Sequence, residues 1–155
     1  MKRASLGGLL GIVLVTSLVR ADAPQGQYAL FDSQDTEITD NFTKLTWSRT
    51  YSSDVTFLGA QTACGAKRVP TLKELLTLVD ESPHLEFEGG KNVPKMIDQN
   101  AFRGTPTDKP FWTITPAAKA GMTTSAFVVD FGTGATAKLD ANAAGGKTAY
   151  VRCVK

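Results

Sequence analysis

Two cysteines constrain this chain more than any other feature. Cys64 and Cys153 lie 89 residues apart, so a bond between them would close more than half of the 155 residues into one loop. In the loop-closure description, such a bond removes unfolded-state entropy worth on the order of 4 to 5 kcal/mol. The bond depends on the compartment, because disulfides persist outside the cytoplasm and are rare inside it. Two buried free thiols are the alternative.

The N-terminus has the pattern of a secretory signal peptide over residues 1–21. Lys2 and Arg3 form a positive start, and an uncharged apolar stretch follows at 6–19. That stretch is shorter than the roughly 20 residues of a membrane-spanning helix, and small residues predict cleavage near 21–23. An uncleaved anchor is the alternative. We therefore expect an exported protein without a membrane span in its mature part, located in the periplasm, at the cell surface or outside the cell.

In such a compartment two cysteines usually pair, so we predict a disulfide between Cys64 and Cys153. Neither residue belongs to a Cys-x-x-Cys pair, and redox chemistry is therefore not expected.

The composition is that of one globular domain, which we place at residues 28–155. Hydrophobic residues make up 42% of the chain and charged residues 21%. Lys and Arg number 17 against 15 Asp and Glu. Three of these cations, Lys2, Arg3 and Arg20, lie in or beside the predicted signal, which leaves the mature chain close to neutral. A nucleic-acid surface needs clustered cations that stay on the mature chain, so we expect no nucleic-acid partner.

Two helices are predicted in the first half of the mature chain. The first begins with Asp54 as its N-cap and places Cys64 on its inner face. The second begins at Thr71, where Glu74 completes a capping box. Its apolar residues recur at helical spacing and predict a buried face, formed by Leu72, Leu75, Leu76 and Val79.

Strands are predicted before and after the helices. Residues 36–39 and 44–47 are expected to pair, and residues 126–131 and 135–139 form a second hairpin around a glycine-containing turn. Further late strands are predicted at 111–115 and 150–154.

Residues 80–110 lack clear periodicity, and we predict a long irregular central loop of the kind that is usually functional or mobile. Its one histidine, His84, has carboxylates close by in sequence, a pattern that is compatible with a cation site. A solvated face of the loop is the favoured interpretation. The loop also carries cations beside aromatic residues, which makes it the candidate ligand-binding region. The candidate residues are Lys91, Lys95, Arg103, Lys109 and Trp112. A solvated loop beside core aromatics is the alternative.

No catalytic or cofactor motif accompanies these residues. His84 is the sole histidine, and no nucleophile motif lies near it. Carboxylate pairs of the kind used in glycoside hydrolysis need not be close in sequence, so the sequence does not exclude such a pair in the folded protein. We expect a protein that is not an enzyme and uses no cofactor or metal.

Short sequence blocks occur along the chain in a recognisable order. They are TDNFTKLTW (39–47), RVPTLKEL (68–75), ID (97–98), FWT (111–113), VVDFG (128–132) and YVRCV (150–154). Together they resemble the Lcl C-terminal domain family over roughly residues 30–155. The resemblance implies an α+β domain similar to the C-type-lectin-like and formylglycine-generating-enzyme folds, with two early helices, a long central loop and late antiparallel strands. The named member type is a collagen-like adhesin whose terminal domain binds glycosaminoglycans.

One position departs from the family pattern. Where the family usually has Trp-Arg-Leu-Pro, this chain has Lys67, Arg68, Val69 and Pro70. With the large aromatic lost, we expect Arg68 to be a structural hydrogen-bond donor. Other polar residues of the blocks are expected to form a buried framework with it, and a binding site is the alternative. The framework residues are Asp40, Asn41, Arg68, Glu74, Asp98, Asp130 and Arg152.

The function predicted from these observations is that of an exported, non-catalytic, adhesin-like binding module. Its partner would be an extracellular glycan such as a glycosaminoglycan, or an envelope protein, recognised through residues 80–110. A structural or assembly component of the bacterial cell envelope is the alternative. The Glu-Pro-Asn, Gln-Pro-Asp and Trp-Asn-Asp motifs of calcium-dependent lectins are missing from the sequence, so that mechanism is not expected.

Overall fold

The computed structural model describes residues 23–29, 31–117, 125–142 and 146–155. The predicted signal peptide, residues 1–21, lies outside the described residues. Within them, no helix is long and apolar enough to cross a membrane.

Strands outnumber helices in the part of the chain that the structure describes. The elements are β1 (Glu37–Thr39), β2 (Thr46–Ser48), β3 (Ser52–Val55), α1 (Phe57–Cys64), α2 (Leu72–Leu76), β4 (His84–Glu88), β5 (Lys91–Lys95), β6 (Phe111–Pro116), β7 (Ser125–Val129), β8 (Thr136–Asp140) and β9 (Ala149–Val151). This is a small, β-rich α+β domain, with the two early helices and the late strands that the sequence predicts.

A five-stranded sheet forms the centre, in the order β3-β9-β6-β7-β8. The last strand, β9, lies between β3 and β6 and runs parallel to β6, whereas the other pairs are antiparallel. The predicted hairpin of residues 126–131 and 135–139 is present as β7 and β8. Strands β1 and β2 form the predicted N-terminal hairpin as a separate two-stranded sheet.

The second helix begins as predicted and the first does not. At α2, the Thr71 side chain accepts from the Glu74 N–H, and the Glu74 side chain accepts from the Thr71 N–H, which completes the capping box. At α1 the N-cap is Thr56, whose side chain accepts from the Gly59 N–H. Asp54, the predicted cap, adopts a positive φ of 52° inside an irregular stretch of β3, so it lies too early to cap the helix.

The prediction of an irregular loop is wrong for residues 84–95, which form the hairpin β4–β5. Five residue pairs join its strands, from His84 opposite Lys95 to Glu88 opposite Lys91. Gly89 and Gly90 both adopt positive φ, which a two-residue hairpin turn of type I′ requires. Pro94 is tolerated because both strands of a two-stranded sheet are edge strands.

The described residues form two buried clusters that hold the domain together. One contains Trp47, Leu75 and Phe111, with α2 packed against it through its predicted apolar face. The other contains Trp112 and the disulfide, which joins Cys64 to Cys153 as predicted. The bond ties the end of α1 to the residue that lies two positions beyond β9.

Candidate functional site

An open cleft of about 620 Å³ lies between the N-terminal segment and the central region of the chain. We call it the Arg49 cleft, because Arg49 lines it between its two walls. One wall comes from residues 31–35, and the other comes from β4 together with residues 99–103. The cleft is therefore assembled from segments that are far apart in sequence.

Arg49 connects the two walls. Its guanidinium donates to the carbonyl of Asp35 (3.1 Å) on one side and to those of Asn100 (3.2 Å) and Ala101 (2.9 Å) on the other. The Phe31 ring centroid lies 4.4 Å from its Cζ atom. Because these contacts occupy the guanidinium, Arg49 fixes the shape of the cleft and is not available to a ligand.

Sequence reasoning missed Arg49. Its acceptors lie 14 to 52 residues away along the chain, and they are main-chain carbonyls. Main-chain carbonyls are present at every residue, so no sequence pattern marks them. Only the fold brings them to the guanidinium.

Two exposed side chains of the cleft keep their polar groups free. His84 from β4 and Arg103 make no side-chain hydrogen bond or ion pair within the described residues. Asp32, Asp35 and Glu86 add carboxylates around them. Planar guanidinium, imidazole and carboxylate groups around an open, polar cleft suit a hydrophilic ligand that both donates and accepts hydrogen bonds.

The predicted ligand-binding residues do not come together. Only Arg103 lines the Arg49 cleft, while Lys91 lies exposed at the start of β5. Lys109 pairs with Asp54. Trp112 is fully buried, and its indole N–H donates to the Val55 carbonyl at 2.8 Å. Burial removes Trp112 from any ligand surface.

Lys95 is buried as well, with 2% of the residue exposed. Its ammonium donates to the Thr105 carbonyl at 3.0 Å and pairs with Glu88 at 2.8 Å and Glu86 at 3.8 Å. A buried cation requires such partners, because its unpaired charge would be costly to remove from water. Lys95 therefore anchors the hairpin β4–β5 to the body of the domain.

Four of the predicted framework residues satisfy main-chain groups in turns. The carboxylate of Asp40 accepts from the N–H groups of residues 42 and 43, and that of Asp98 accepts from those of residues 100 and 101. Asp130 accepts from the Gly132 N–H, and the Asn41 amide donates to the Gly26 carbonyl. These side chains shape the chain around them. Only Asp40 among the four is buried; Asp98 and Asp130 are half-buried and Asn41 is exposed, because their main-chain partners lie in surface turns.

Arg68 and Glu74 form a bidentate pair, with both N···O distances at 2.7 Å. The hydrogen bonds from Arg68 lower the pKa of Glu74 to about 2, and the Thr71 N–H at the helix cap adds to this effect. The pair therefore joins the start of α2 to the chain segment that precedes it.

Arg152 is fully buried and donates to the carbonyls of Ser48 (2.9 Å) and Arg49 (2.7 Å) and to the Thr105 hydroxyl (2.7 Å). The Phe102 ring centroid lies 4.6 Å from its Cζ atom. Burial lowers the pKa of the guanidinium to about 9, which keeps it charged at neutral pH. Arg152 thus holds the backbone beneath the Arg49 cleft.

The hairpin β4–β5 shows the reverse of the usual burial pattern. The face that carries Glu86 and Lys95 lies toward the body of the domain, where Lys95 is buried. On the other face, Leu85 and Phe87 lie in solvent with 59% and 76% of each residue exposed. We call this outer side the Leu85–Phe87 face. Exposed apolar patches of this kind often mark interaction surfaces.

Metal ligands do not cluster in the described part of the chain, where no group of three His, Cys, Asp or Glu side chains could hold an ion. His84 and its neighbouring carboxylates, which left a cation site open in the sequence, do not form one there.

Comparison with known proteins supplies the family. No curated protein sequence matches the chain. The family model of the Lcl C-terminal domain matches residues 36–155, which include every strand and helix described above. The chain belongs to the Lcl C-terminal domain family.

Proposed function

We propose that this protein is an exported, non-catalytic binding module that recognises a hydrophilic extracellular ligand, a glycan, in the Arg49 cleft. The proposal includes a C-type-lectin-like arrangement of the domain, an adhesin-like role and a location in the periplasm, at the cell surface or outside the cell. The observation that carries the proposal is an open polar cleft that Arg49 holds in shape while His84 and Arg103 stay unpaired within the described residues.

The preformed shape of the cleft supports binding. A site whose walls are already fixed spends little binding free energy on ordering itself. Arg49 anchors the backbone at Asn100, close to Arg103, and Lys95 anchors the hairpin that carries His84. The backbone positions of His84 and Arg103 are therefore fixed, while their exposed side chains stay free to contact a ligand. Carboxylates and cations around one cleft suit the hydroxyl and acidic groups of a saccharide.

Arginine and histidine truncation tests this proposal. We expect the wild-type chain to bind members of a glycan array, and the substitutions Arg103→Ala and His84→Ala to weaken that binding about tenfold or more through lost hydrogen bonds. Lys44→Ala is the matched control, because Lys44 is exposed and lies in the turn between β1 and β2. Heparin binding at low salt, falling as salt rises, identifies the glycosaminoglycan version. A wild-type chain that retains no glycan, heparin included, contradicts the proposal.

The second candidate is a structural or assembly component of the cell envelope that docks on another protein. The Leu85–Phe87 face favours it, because a stable domain rarely leaves two large apolar side chains side by side in water. In a purification from native envelope, we expect one partner protein to be retained by the wild type and lost with Leu85→Ser and Phe87→Ser. Phe42→Ser is the control, since Phe42 is 64% exposed elsewhere on the surface. Equal retention by all three variants contradicts this candidate.

A further inference from the structure

Strand β8 is an outer strand of the central sheet. It pairs with β7 over five residues in regular register, from Thr136 opposite Val129 to Asp140 opposite Ser125. In the part of the chain that the structure describes, no other strand pairs with it. An unpaired edge of this length can accept another strand.

The outward main-chain groups of β8 belong to alternate residues. The Asp130 N–H donates to the Ala135 carbonyl, so these residues form a hydrogen-bonded pair. Hydrogen-bonded and non-hydrogen-bonded pairs alternate along an antiparallel ladder. Thr136, Lys138 and Asp140 therefore direct their N–H and C=O groups away from β7, toward the free edge.

A second copy of the same strand fits this edge. In an antiparallel pair with Leu139 opposite Leu139 of the second copy, Lys138 lies opposite Asp140 of that copy. This register sets outward residues against outward residues, so the ladder hydrogen bonds form. It also gives two opposite-charge pairs, one on each side of the symmetry axis.

Neighbouring registers are less favourable. A shift by two residues places Lys138 opposite itself or Asp140 opposite itself, and like charges directly opposite each other are destabilising. A lysine on an edge strand normally discourages pairing. Here Asp140, two residues further along the same face, supplies the complementary charge.

The opposite face of the strand is apolar. Leu139 is half-buried and packs against the cluster that contains Val128 and Trp112. On pairing, the two Leu139 side chains would meet at the symmetry axis in a non-hydrogen-bonded pair, where side chains lie closest. The two apolar clusters would then be continuous across the axis.

We propose that β8 is a self-association edge, through which two copies of this chain join their central sheets in the register that centres on Leu139. This inference does not depend on the proposed ligand. The occupant of the edge is a second copy, because the charges of Lys138 and Asp140 and the position of Leu139 are self-complementary.

Charge exchange tests the register. In sedimentation of the full chain over a concentration series, we expect a monomer and dimer equilibrium. Lys138→Asp and Asp140→Lys should each weaken it about tenfold, because each creates two like-charge pairs. The double variant K138D/D140K should restore it, since opposite charges face each other again. Lys44→Asp is the control on another surface and should leave the equilibrium unchanged.

A crosslink tests the position of the axis. Leu139→Cys should give a covalent dimer under mild oxidation, while Ala137→Cys on the same strand should not, because its copies lie on opposite sides of the axis. A wild type that stays monomeric at all concentrations overturns the proposal. A dimer that is insensitive to charge exchange overturns it too, as does capture of a different protein at an edge that never self-associates.

Discussion

At the scale of single residues, three cations define the surroundings of the Arg49 cleft by binding main-chain carbonyls. Arg49 and Arg152 donate to the segments around β2 and residues 99–105, and Lys95 donates to Thr105. A carbonyl accepts a hydrogen bond without titrating, so it compensates a buried cation over a wide pH range. The sequence predicts that Arg152 is structural, whereas it predicts Lys95 as a ligand contact and does not single out Arg49. What separates them is burial, which depends on residues distant in sequence.

The Arg68–Glu74 pair gives a pH dependence. The folded-state pKa of Glu74, about 2, lies below its ordinary value of 4.5. The unfolded chain therefore binds the proton more readily, and the stability from this pair is present above about pH 4.5 and is lost as the pH falls toward 2. Arg68 has 49% of its side chain exposed, so solvent screening reduces the contribution to about 1 to 2 kcal/mol.

Urea unfolding at pH 7 and pH 3 measures this contribution. Glu74→Gln should be less stable than the wild type at pH 7, and the difference should shrink at pH 3. Glu81→Gln serves as the control, since Glu81 is exposed and precedes the hairpin. If the stability difference between the wild type and Glu74→Gln is the same at both pH values, the Arg68–Glu74 ion pair is not its cause.

At the scale of elements, the hairpin β4–β5 is held to the domain by charge. Its inner face carries Glu86, Glu88 and Lys95, while its outer face carries Leu85 and Phe87. Helix α2 is attached in the ordinary way, through leucines and a capping box. That difference explains why sequence patterns predicted α2 well and missed the hairpin. A sequence pattern assigns apolar residues to a buried face, whereas Leu85 and Phe87 lie on an exposed one.

Removal of the Lys95 ammonium should loosen the hairpin. Lys95→Met keeps an apolar stem but leaves the Thr105 carbonyl and two partly exposed carboxylates without their cation. We expect a loss of about 1 to 2 kcal/mol in the free energy of unfolding and faster proteolysis at residues 84–95. Lys91→Met, at the exposed end of the same strand, should change neither. Unchanged proteolysis of the Lys95 variant would rule out its anchoring role.

At the scale of the whole molecule, the disulfide and the last strand join the two halves of the chain. Strand β9 enters the sheet between β3 and β6. The residues after β9 form main-chain hydrogen bonds with β2. The bond from Cys64 to Cys153 closes 89 residues of chain. The early helices and the late strands therefore share one core.

Removal of the bond should lower stability without changing the fold. The double variant Cys64→Ser with Cys153→Ser is expected to lose about 2 to 5 kcal/mol in the free energy of unfolding, because its unfolded chain regains conformational freedom. Urea unfolding measures the loss, and a reductant should destabilise only the wild type. Equal midpoints for the two proteins under oxidising conditions would contradict this account.

The sequence by itself determined the local features and the pairing of the cysteines. Three local features follow from residues that are close in sequence, so one stretch of chain is enough to predict each of them. They are the capping box at Thr71, the leucine face of α2 and the turn between β7 and β8. The family followed from the order of short blocks. Tertiary structure alone decided the Arg49 cleft, the burial of Lys95 and Trp112, and the outward Leu85–Phe87 face. Each of these depends on contacts between segments far apart in sequence. Neither a main-chain acceptor nor solvent exposure can be predicted from the type of a residue alone.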